Sequence, residues 1–168
     1  MHYRRARVPG GCFFFTVVTA GRRPLFNDGD NVALLRWAFE AVQRRHPFQI
    51  EAIVVLPDHL HTVWTLPNGD ADFPRRWRLI KSAFTRHLAA PDPNPSPLQR
   101  RYWEHVIRDH GDYQRHINYI HYNPVKHGLV KRPVDWPWSS FHRYVSRGVL
   151  DREWGAGEIV IPPGVGKE

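Results

Sequence analysis

Apolar residues recur at every second position in some segments of the chain and at every third or fourth position in others. These two spacings predict strands and helices in a definite order. Strands are expected where aromatic and β-branched residues cluster, and helices where apolar residues recur every three or four positions. The pattern predicts four strands, over residues 12–19, 48–56, 59–66 and 101–108, and two helices, over about 31–46 and 73–88. A third helix is predicted to begin near Asp112, a suitable N-cap, and to stop at Asn123, because Pro124 disfavours helical geometry before it.

This order is β-α-β-β-α-β followed by one helix, which predicts the α+β class and a ferredoxin-like antiparallel sheet. We expect the first two helices to cover one face of that sheet and to leave the other face free for a site. The chain of 168 residues has the size of one domain over 1–168. Residues from about 149 to 168 lack a clear period and are predicted to form an irregular tail, and the proline-rich stretch 91–97 an extended connector.

The excess of basic over acidic residues indicates which class of molecule the protein binds. The chain has 24 Lys and Arg against 16 Asp and Glu, a net charge of +8 and a pI near 10.1. A polyanion such as nucleic acid is favoured over a merely soluble basic protein, and no helix pattern is basic and amphipathic enough for a membrane surface. Cys12, the single cysteine, excludes an intrachain disulfide and fits a reducing, cytoplasmic location. No apolar run reaches the length of a membrane span.

The first candidate chemistry is the pair His59 and His61 on the third predicted strand. Residues two apart on a strand point to the same face, so both imidazoles are expected on the face that the first two helices leave uncovered. Two neutral imidazoles at that spacing can bind one divalent cation. In a chain with 11 histidines, two partly exposed strand histidines remain the alternative.

The second candidate is Tyr119 with Asn123, four residues apart and therefore on one face of the third helix. A phenol is a weak nucleophile at its ordinary pKa near 10, but a cation on the scissile phosphate would assist its attack. Asn123 could supply an oxygen ligand to that cation. The alternative is that Asn123 caps a short turn begun by Pro124 and that Tyr119 is a core aromatic residue.

Taken together, the two motifs resemble those of the HUH single-tyrosine transposases, and most closely the REP-associated tyrosine transposases. The resemblance extends over nearly the whole chain. It is carried by the strings VVLPDHLH (54–61), LIKSAF (79–84), WEHVIRD (103–109), YIHYNPVKHGLV (119–130) and WSS (138–140). The histidine pair precedes the tyrosine, whereas conjugative relaxases resemble a permuted version of this order.

The resemblance implies an activity and a site. Tyr119 would be the nucleophile of a metal-dependent single-stranded DNA endonuclease, cutting beside REP-like hairpins and forming a 5′-phosphotyrosine. His59, His61 and Asn123 would hold Mg²⁺ or Mn²⁺, although many relatives in the mobile-element branch carry Gln at the place of Asn123. Relatives act as dimers or look monomeric, so a monomer or a homodimer is expected.

Six cations are predicted to contact DNA phosphates: Arg75, Arg78, Lys81, Arg86, Arg101 and Arg108. A solvated basic helix face is the alternative. Four aromatic residues near the basic segments could stack on unpaired bases, and the sequence singles out none of them: Tyr102, Trp103, Trp136 and Trp138. The histidines outside the pair are expected to have no ligand role.

Two rival functions stay open. The first keeps the fold without turnover, as a domesticated DNA-binding protein, and the presence of all four site residues argues against it. The second is a His-x-His metallohydrolase acting through water, which would need a carboxylate near the pair. Asp58 is adjacent but is expected on the opposite strand face, and the chain has no HExxH motif and no cysteine ligand set.

Overall fold

Four antiparallel strands and four α-helices form the chain in a computed structural model that describes residues 5–89 and 96–166. The elements are β1 (Cys12–Val18), α1 (Gly29–Arg45), β2 (Gln49–Val55), β3 (His59–Thr65), α2 (Phe73–His87), β4 (Trp103–Val106), α3 (His110–Lys126) and α4 (Phe141–Ser146). The strand order is β2-β3-β1-β4 with every pairing antiparallel. The predicted α+β, ferredoxin-like arrangement is therefore confirmed. The predicted connector 91–97 falls mostly outside the described residues.

The main core lies between the sheet and the pair α1 and α2. Alternate residues of β1 point into it, and Phe13 and Phe15 both pack on Phe73 of α2. Trp64 of β3 stacks on Trp77 of α2 with ring centroids 4.3 Å apart. These contacts follow from the period of two in the strands, which sends every second side chain to the helices.

The other face of the sheet is not free, which corrects the expectation from the sequence. Helix α3 packs on it, mainly against β2 and β3. Ile117 and Ile120 give α3 an apolar side, and they join Phe14, Ala52 and Val63 in a second core cluster. Burial of that apolar side explains why the helix lies on the sheet rather than beside it. The site must therefore form between α3 and the sheet.

Helix α3 is longer at both ends than predicted. Its N-cap is Asp109, whose Oδ1 accepts a hydrogen bond of 2.7 Å from the backbone N–H of Asp112, so Asp112 is not the cap. Pro124 lies inside the helix, which ends only at Lys126. The proline lacks a backbone N–H and removes one hydrogen-bond donor from the last turn. Its ring is nevertheless buried, and the helix continues past it. Asn123 is consequently an interior helical residue, and the alternative in which it caps a short turn is wrong.

The segment after α3 returns to the edge of the sheet. The backbone N–H of Val55 in β2 donates to Trp138, and that of Ser140 donates to Ile53. Strand β4 is shorter than predicted, so Arg101 and Arg108 flank it rather than belong to it. Among the described residues, no helix is long and apolar enough to cross a membrane.

Candidate active site

The histidine pair lies at the start of β3, on the face that α3 covers. The rings of His59 and His61 are 4.9 Å apart and nearly perpendicular. Both side chains are buried, and so are both Nε2 atoms. The strand geometry thus places the two imidazoles side by side as predicted, but under a helix rather than on an open surface.

A neighbouring side chain fixes the orientation of each imidazole through a hydrogen bond at its Nδ1 atom. The Nδ1–H of His59 donates to the carboxylate of Asp58 over 2.6 Å, and Nδ1 of His61 lies 2.8 Å from the hydroxyl of Thr16 on β1. A carboxylate only accepts, so in the neutral form of His59 the lone pair is on Nε2. This orientation by a second residue is typical of histidines that bind metals.

Asp58 is a site residue that the sequence argument placed on the wrong side. It lies in the turn before β3, and from there its carboxylate reaches the ring of His59. Partial burial by itself would raise the pKa of Asp58, but hydrogen bonds from His59 and Arg22 outweigh it and hold the pKa below its usual value. Asp58 is therefore ionised at neutral pH. In the sequence, the position of this acidic residue directly before the His-x-His pair was the available sign that it could contact His59.

Tyr119 and Asn123 lie one turn apart on the side of α3 that faces the pair. The Tyr119 ring is 5.1 Å from the ring of His61, and Asn123 is fully buried with its Oδ1 atom inside. The structure thus brings Tyr119 next to the histidine pair, and it buries Asn123 one helical turn after Tyr119. Two imidazole nitrogens and an amide oxygen are a donor set that suits a divalent cation.

Lys126 approaches the phenol from the last turn of α3. Its Nζ atom lies 3.4 Å from the Tyr119 hydroxyl and 5.0 Å from the centre of the ring. A positive charge at that place stabilises negative charge on the phenol oxygen. Sequence reasoning assigned Lys126 no role, although its position seven residues after Tyr119, two helical turns along the same face, was an available signal.

The C-terminal segment covers the phenol. Ile161 and Val165 pack against the second core cluster, and Gly166 lies directly on Tyr119. A Cβ atom at Gly166 would be 2.2 Å from Cζ of Tyr119 and 2.7 Å from its hydroxyl oxygen. Only glycine permits so close an approach of the backbone. Tyr119 is accordingly 1% exposed, and a group from solution could contact its hydroxyl only if this segment moved.

The cations that were predicted to contact DNA lie in different parts of the structure. Arg75, Arg78 and Arg86 are exposed on α2, across the sheet from Tyr119, while Arg101 and Arg108 are exposed at the two ends of β4. Lys81 has a structural role instead. The helix cations can therefore contact only DNA that extends away from the scissile phosphate.

Lys81 joins α2 to the segment before β4. Its ammonium donates to the backbone oxygens of Gln99 at 2.7 Å and Arg100 at 3.3 Å, and lies 5.0 Å from the centre of the Tyr102 ring. Burial, together with the charge of Arg5, lowers the pKa of Lys81 to about 8. A lysine held by carbonyl oxygens is poorly placed to bind phosphate, so the prediction for this residue needs correction.

A second polar cluster connects α3 to β4 and was also missed. The ligand atoms of His105, Asp112 and His116 lie within 4.8 Å of one another. However, the Asp112 carboxylate already accepts from Nε2 of His105 at 2.8 Å and from the backbone N–H of Arg108 at 3.0 Å, with an Arg115 nitrogen at 3.6 Å. These donors satisfy the carboxylate and add positive charge. We therefore interpret the cluster as a structural link and not as a cation site.

Comparison with known proteins gives relatives over the full length of the chain. No family model matches it. The REP-associated tyrosine transposase of Escherichia coli (strain K12) is 47% identical over 157 residues, which cover 94% of this chain and 92% of that protein. A Haemophilus influenzae protein (strain ATCC 51907 / DSM 11121 / KW20 / Rd), assigned provisionally to the same group, is 39% identical over 164 residues, covering 92% of this chain and 93% of that protein.

Solved structures agree with these relatives. A REP-associated tyrosine transposase bound to a REP hairpin is 44% identical, with a TM-score of 0.88, covering 100% of this chain and 98% of that chain. A provisionally assigned transposase from Deinococcus radiodurans R1 is 18% identical with a TM-score of 0.50, covering 68% of this chain and 92% of that chain. The second likeness bears on the fold alone.

Proposed function

The chain belongs to the REP-associated tyrosine transposases, and from this membership we propose that it is an enzyme that cleaves and rejoins single-stranded DNA beside hairpins. The observation that carries the proposal is the placement of the Tyr119 phenol against His61, with Asp58 and Thr16 fixing the histidine pair. A core tyrosine would not require a histidine pair oriented in this way.

His59 and His61 through Nε2, and Asn123 through Oδ1, would hold a divalent cation, Mg²⁺ or Mn²⁺. Such an ion polarises the scissile phosphate and stabilises the charge on the leaving oxygen. The contribution of the chain is to orient the donors. Asp58 and Thr16 hold the two rings, and α3 holds Asn123 one turn from the nucleophile.

The phenol oxygen of Tyr119 attacks the phosphorus, and the bond to the 3′ oxygen breaks as the new phosphotyrosine bond forms. The phenol loses its proton and the leaving 3′ oxygen takes one up, so the products are a 5′-phosphotyrosine and a free 3′-OH with no net change in protons. The ammonium of Lys126 stabilises the charge that develops on the phenol oxygen. Because the phosphodiester energy is kept in the phosphotyrosine, attack by the same or another 3′-OH rejoins the strand without a nucleotide cofactor.

The substrate we propose is a REP-like hairpin with an unpaired flank, because the 44% identical relative is bound to a REP hairpin. The stem phosphates would contact Arg75, Arg78 and Arg86 on α2, and the flank would pass Arg101 and Arg108 beside β4. One tyrosine holds one strand end, so a monomer suffices for cleavage and a homodimer would be needed to hold two ends at once. We place this activity on cytoplasmic DNA.

A non-catalytic DNA-binding protein of the same fold is the second candidate. The burial of Tyr119 under Gly166 is the observation that favours it, because a permanently covered phenol cannot attack. The two candidates differ in one measurable product, a covalent complex of protein and DNA.

The test uses hairpin oligonucleotides with unpaired flanks, labelled separately on each side of the cut, with Mn²⁺ or with chelator. We expect the label 3′ of the break to move with the protein in a denaturing gel when the cation is present. Tyr119→Phe should remove this band and bind the hairpin within about twofold of wild type. Tyr122→Phe, on the same helix and half-buried, is the matched control and should keep the band.

Four results would count against this proposal or against one of its parts. A covalent band from Tyr119→Phe would move the nucleophile elsewhere, and full activity in chelator would remove the cation. Migration of the label 5′ of the break would contradict a 5′-phosphotyrosine. Hairpin binding without any covalent band, at all cation concentrations and with the C-terminal segment removed, would favour the non-catalytic binder.

A further inference from the structure

A cleft opens at the end of the sheet where the histidine pair lies. Three segments line it: the loop after β1 with Arg22 and Pro24, the turn before β3, and the residues after α3 with His127 and Leu129. Its volume is about 360 Å³, near the lower end of the range for small-molecule sites. His59 forms part of the wall, so the cleft adjoins the donors that would hold the cation.

The cleft and the Tyr119 phenol lie on opposite sides of the histidine pair. The ring of His61 is 5.1 Å from that of Tyr119 and 4.9 Å from that of His59. The ring of His127 lies 5.2 Å from His59. Tyr119 on α3 and His127 at its C-cap are eight residues apart, which corresponds to about 12 Å along the helix axis. A cation bound by the pair would therefore have the phenol on one side and the cleft on the other.

The direction of phosphoryl transfer gives this placement a chemical meaning. In the proposed reaction the phenol oxygen forms a bond to phosphorus while the bond to the 3′ oxygen breaks, and the two oxygens lie roughly in line on opposite sides of phosphorus. The nucleoside that leaves with the 3′-OH must then point away from Tyr119. The cleft beside His59 lies in that direction, and its apolar walls at Pro24 and Leu129 suit the faces of a sugar and a base.

Arg22 brings a positive charge to the rim of this cleft. Its Nη1 atom lies 3.3 Å from Oδ2 of Asp58, whose Oδ1 accepts from His59. The side chain of Arg22 is 49% exposed. A guanidinium group has five N–H donors in a planar fork, so it can bind a phosphate oxygen while one donor stays on Asp58.

The backbone at Arg22 has a conformation that arginine rarely adopts. Its φ is 52°, and in the described part of the chain no other residue except glycine has a positive φ. Hydrogen bonds join this loop to the turn before β3: the backbone N–H of Thr19 donates to Asp58 at 2.8 Å, and that of Phe26 donates to Pro57 at 3.0 Å. Strained residues persist where their surroundings fix them, and they are common at ligand-binding sites. The fold therefore fixes the place of Arg22 beside the cleft.

We infer that this cleft is the subsite for the nucleoside that leaves with the 3′-OH, and that Arg22 binds the phosphate on the 5′ side of that nucleoside. The inference rests on the proposed function, and it adds to it the residue that holds the released strand. A strand held at this place keeps its 3′-OH next to the phosphotyrosine, which is the arrangement that rejoining requires. The simpler alternative is that Arg22 only orients Asp58.

The experiment first maps the cut in a flanked hairpin with wild type and Mn²⁺. A methylphosphonate, which removes one phosphate charge, is then placed in turn at the first phosphate 5′ of the scissile one and at phosphates further along the strand. Equilibrium binding of these strands is measured with and without Mn²⁺ in full-length Tyr119→Phe, which lacks the proposed nucleophile. Further proteins add Arg22→Gln, Arg22→Lys or the control Arg36→Gln, which removes an exposed arginine from α1.

We expect Arg22→Gln to weaken binding of the unmodified strand at least about fivefold, because a charge-assisted contact to phosphate is lost. A methylphosphonate at the first 5′ phosphate should weaken binding by a similar factor and have no further effect in Arg22→Gln, since both changes remove the same contact. The dependence of log affinity on log salt concentration should become shallower by about 0.7, the share of one phosphate contact on a single strand. Arg22→Lys should lose less affinity, and Arg36→Gln should change neither quantity.

The outcomes distinguish this inference from the proposed function. If the methylphosphonate penalty persists in Arg22→Gln, Arg22 does not contact that phosphate, and the inference is wrong while cleavage by Tyr119 stands. If Arg22→Gln with an intact Tyr119 slows adduct formation but binds every strand as its parent does, Arg22 only orients Asp58. An equal loss of affinity in Arg36→Gln also overturns the inference, because the effect then belongs to net charge. If wild type forms no adduct with any flanked hairpin, the proposed function fails and this inference fails with it.

Discussion

Single side chains decide the chemistry of this site through atoms that do not themselves react. The two rings of the pair can serve one cation only if both are turned with Nε2 inward, and Asp58 and Thr16 fix that orientation. Lys126 does the same for the proposed nucleophile, Tyr119, by placing an ammonium beside its oxygen. The reactive groups are therefore defined by hydrogen bonds to neighbours as much as by their own identity.

Replacing Asp58 by Asn should weaken cation binding without removing a ligand. The amide keeps the shape but no longer provides a carboxylate for the Nδ1–H of His59, so we expect cation affinity to fall about 10- to 100-fold. The measurement is the Mn²⁺ concentration needed for half-maximal adduct formation. Saturating Mn²⁺ should restore most of the activity, and loss of activity that no cation concentration restores would contradict this role.

Replacing Lys126 by Met keeps the aliphatic stem and removes the charge next to the phenol. Loss of a charge-assisted contact of about 1.5 kcal/mol or more should slow single-turnover adduct formation at least about tenfold. Hairpin affinity should change much less. Lys131→Met removes an exposed lysine of the same region and serves as the control. Equal rates for the two variants would show that Lys126 does not act on the nucleophile.

At the scale of elements, the position of α3 determines whether the two halves of the site meet. Its N-terminal turn is held to β4 through Asp112, which accepts from His105 and from the backbone of Arg108. Its middle packs on the sheet through Ile117 and Ile120. Tyr119 thus has a fixed position above the histidine pair, because both attachments hold the helix that carries it.

The link between α3 and β4 should be weakened by acid. His116 is buried, faces His105 from β4 and Asp112 and Arg115 from its own helix, and donates to the Asp112 backbone oxygen at 2.8 Å. Burial lowers the pKa of His116 below its usual value of 6.5, although its hydrogen bond to the Asp112 carbonyl acts in the opposite direction. The unfolded chain therefore takes up a proton first, and His116 contributes stability above pH 6.5 that is lost as the pH falls below it.

Chemical denaturation at pH 7.5, 6.5 and 5.5 measures this contribution. The free energy of unfolding of wild type should fall with decreasing pH, with His116 contributing at most about 1.4 kcal/mol per pH unit. His116→Asn keeps a donor near the Asp112 carbonyl but does not titrate, so its curve should be flatter. Parallel curves for the two proteins would exclude His116 as a source of the acid sensitivity.

At the scale of the whole molecule, the last described residues control access to a site formed by residues far away in sequence. Ile161 and Val165 pack on the cluster that contains Tyr119, and Gly166 rests on the phenol. If the proposed function is right, a site covered by its own chain must open before the proposed DNA substrate can reach Tyr119. The energy of that opening is set by contacts outside the catalytic residues.

Opening the segment should therefore accelerate adduct formation. Two partly buried aliphatic side chains stabilise the closed state by about 1 to 2 kcal/mol, so removing residues 161–168 should raise the single-turnover rate about tenfold. Gly166→Ala should have the same effect without a deletion, because its Cβ cannot fit against Tyr119. The control is Gly164→Ala, which also replaces a glycine with positive φ but meets no atom within 4 Å. A truncated protein no faster than wild type would show that the segment does not limit access.

The sequence by itself determined the order of the main strands and helices, the antiparallel sheet and which candidate residues share a face. Period-two and period-three-to-four patterns are local properties, so strands, helices and the shared face of His59 and His61 follow from spacing alone. The same holds for Tyr119 and Asn123, one helical turn apart. The resemblance then predicted a family, and membership of that family is confirmed.

Only the tertiary structure decided how these pieces meet. Spacing along the chain contains no information on which face α3 covers, that Lys81 binds carbonyl oxygens, or that Asp58 reaches His59 from a turn. Nor does it show that Gly166 lies on Tyr119, 47 positions earlier in the chain. The physical reason is that burial and hydrogen bonding between distant segments depend on packing in three dimensions. A local pattern indicates which side chains need partners, and only the fold determines the partners that they find.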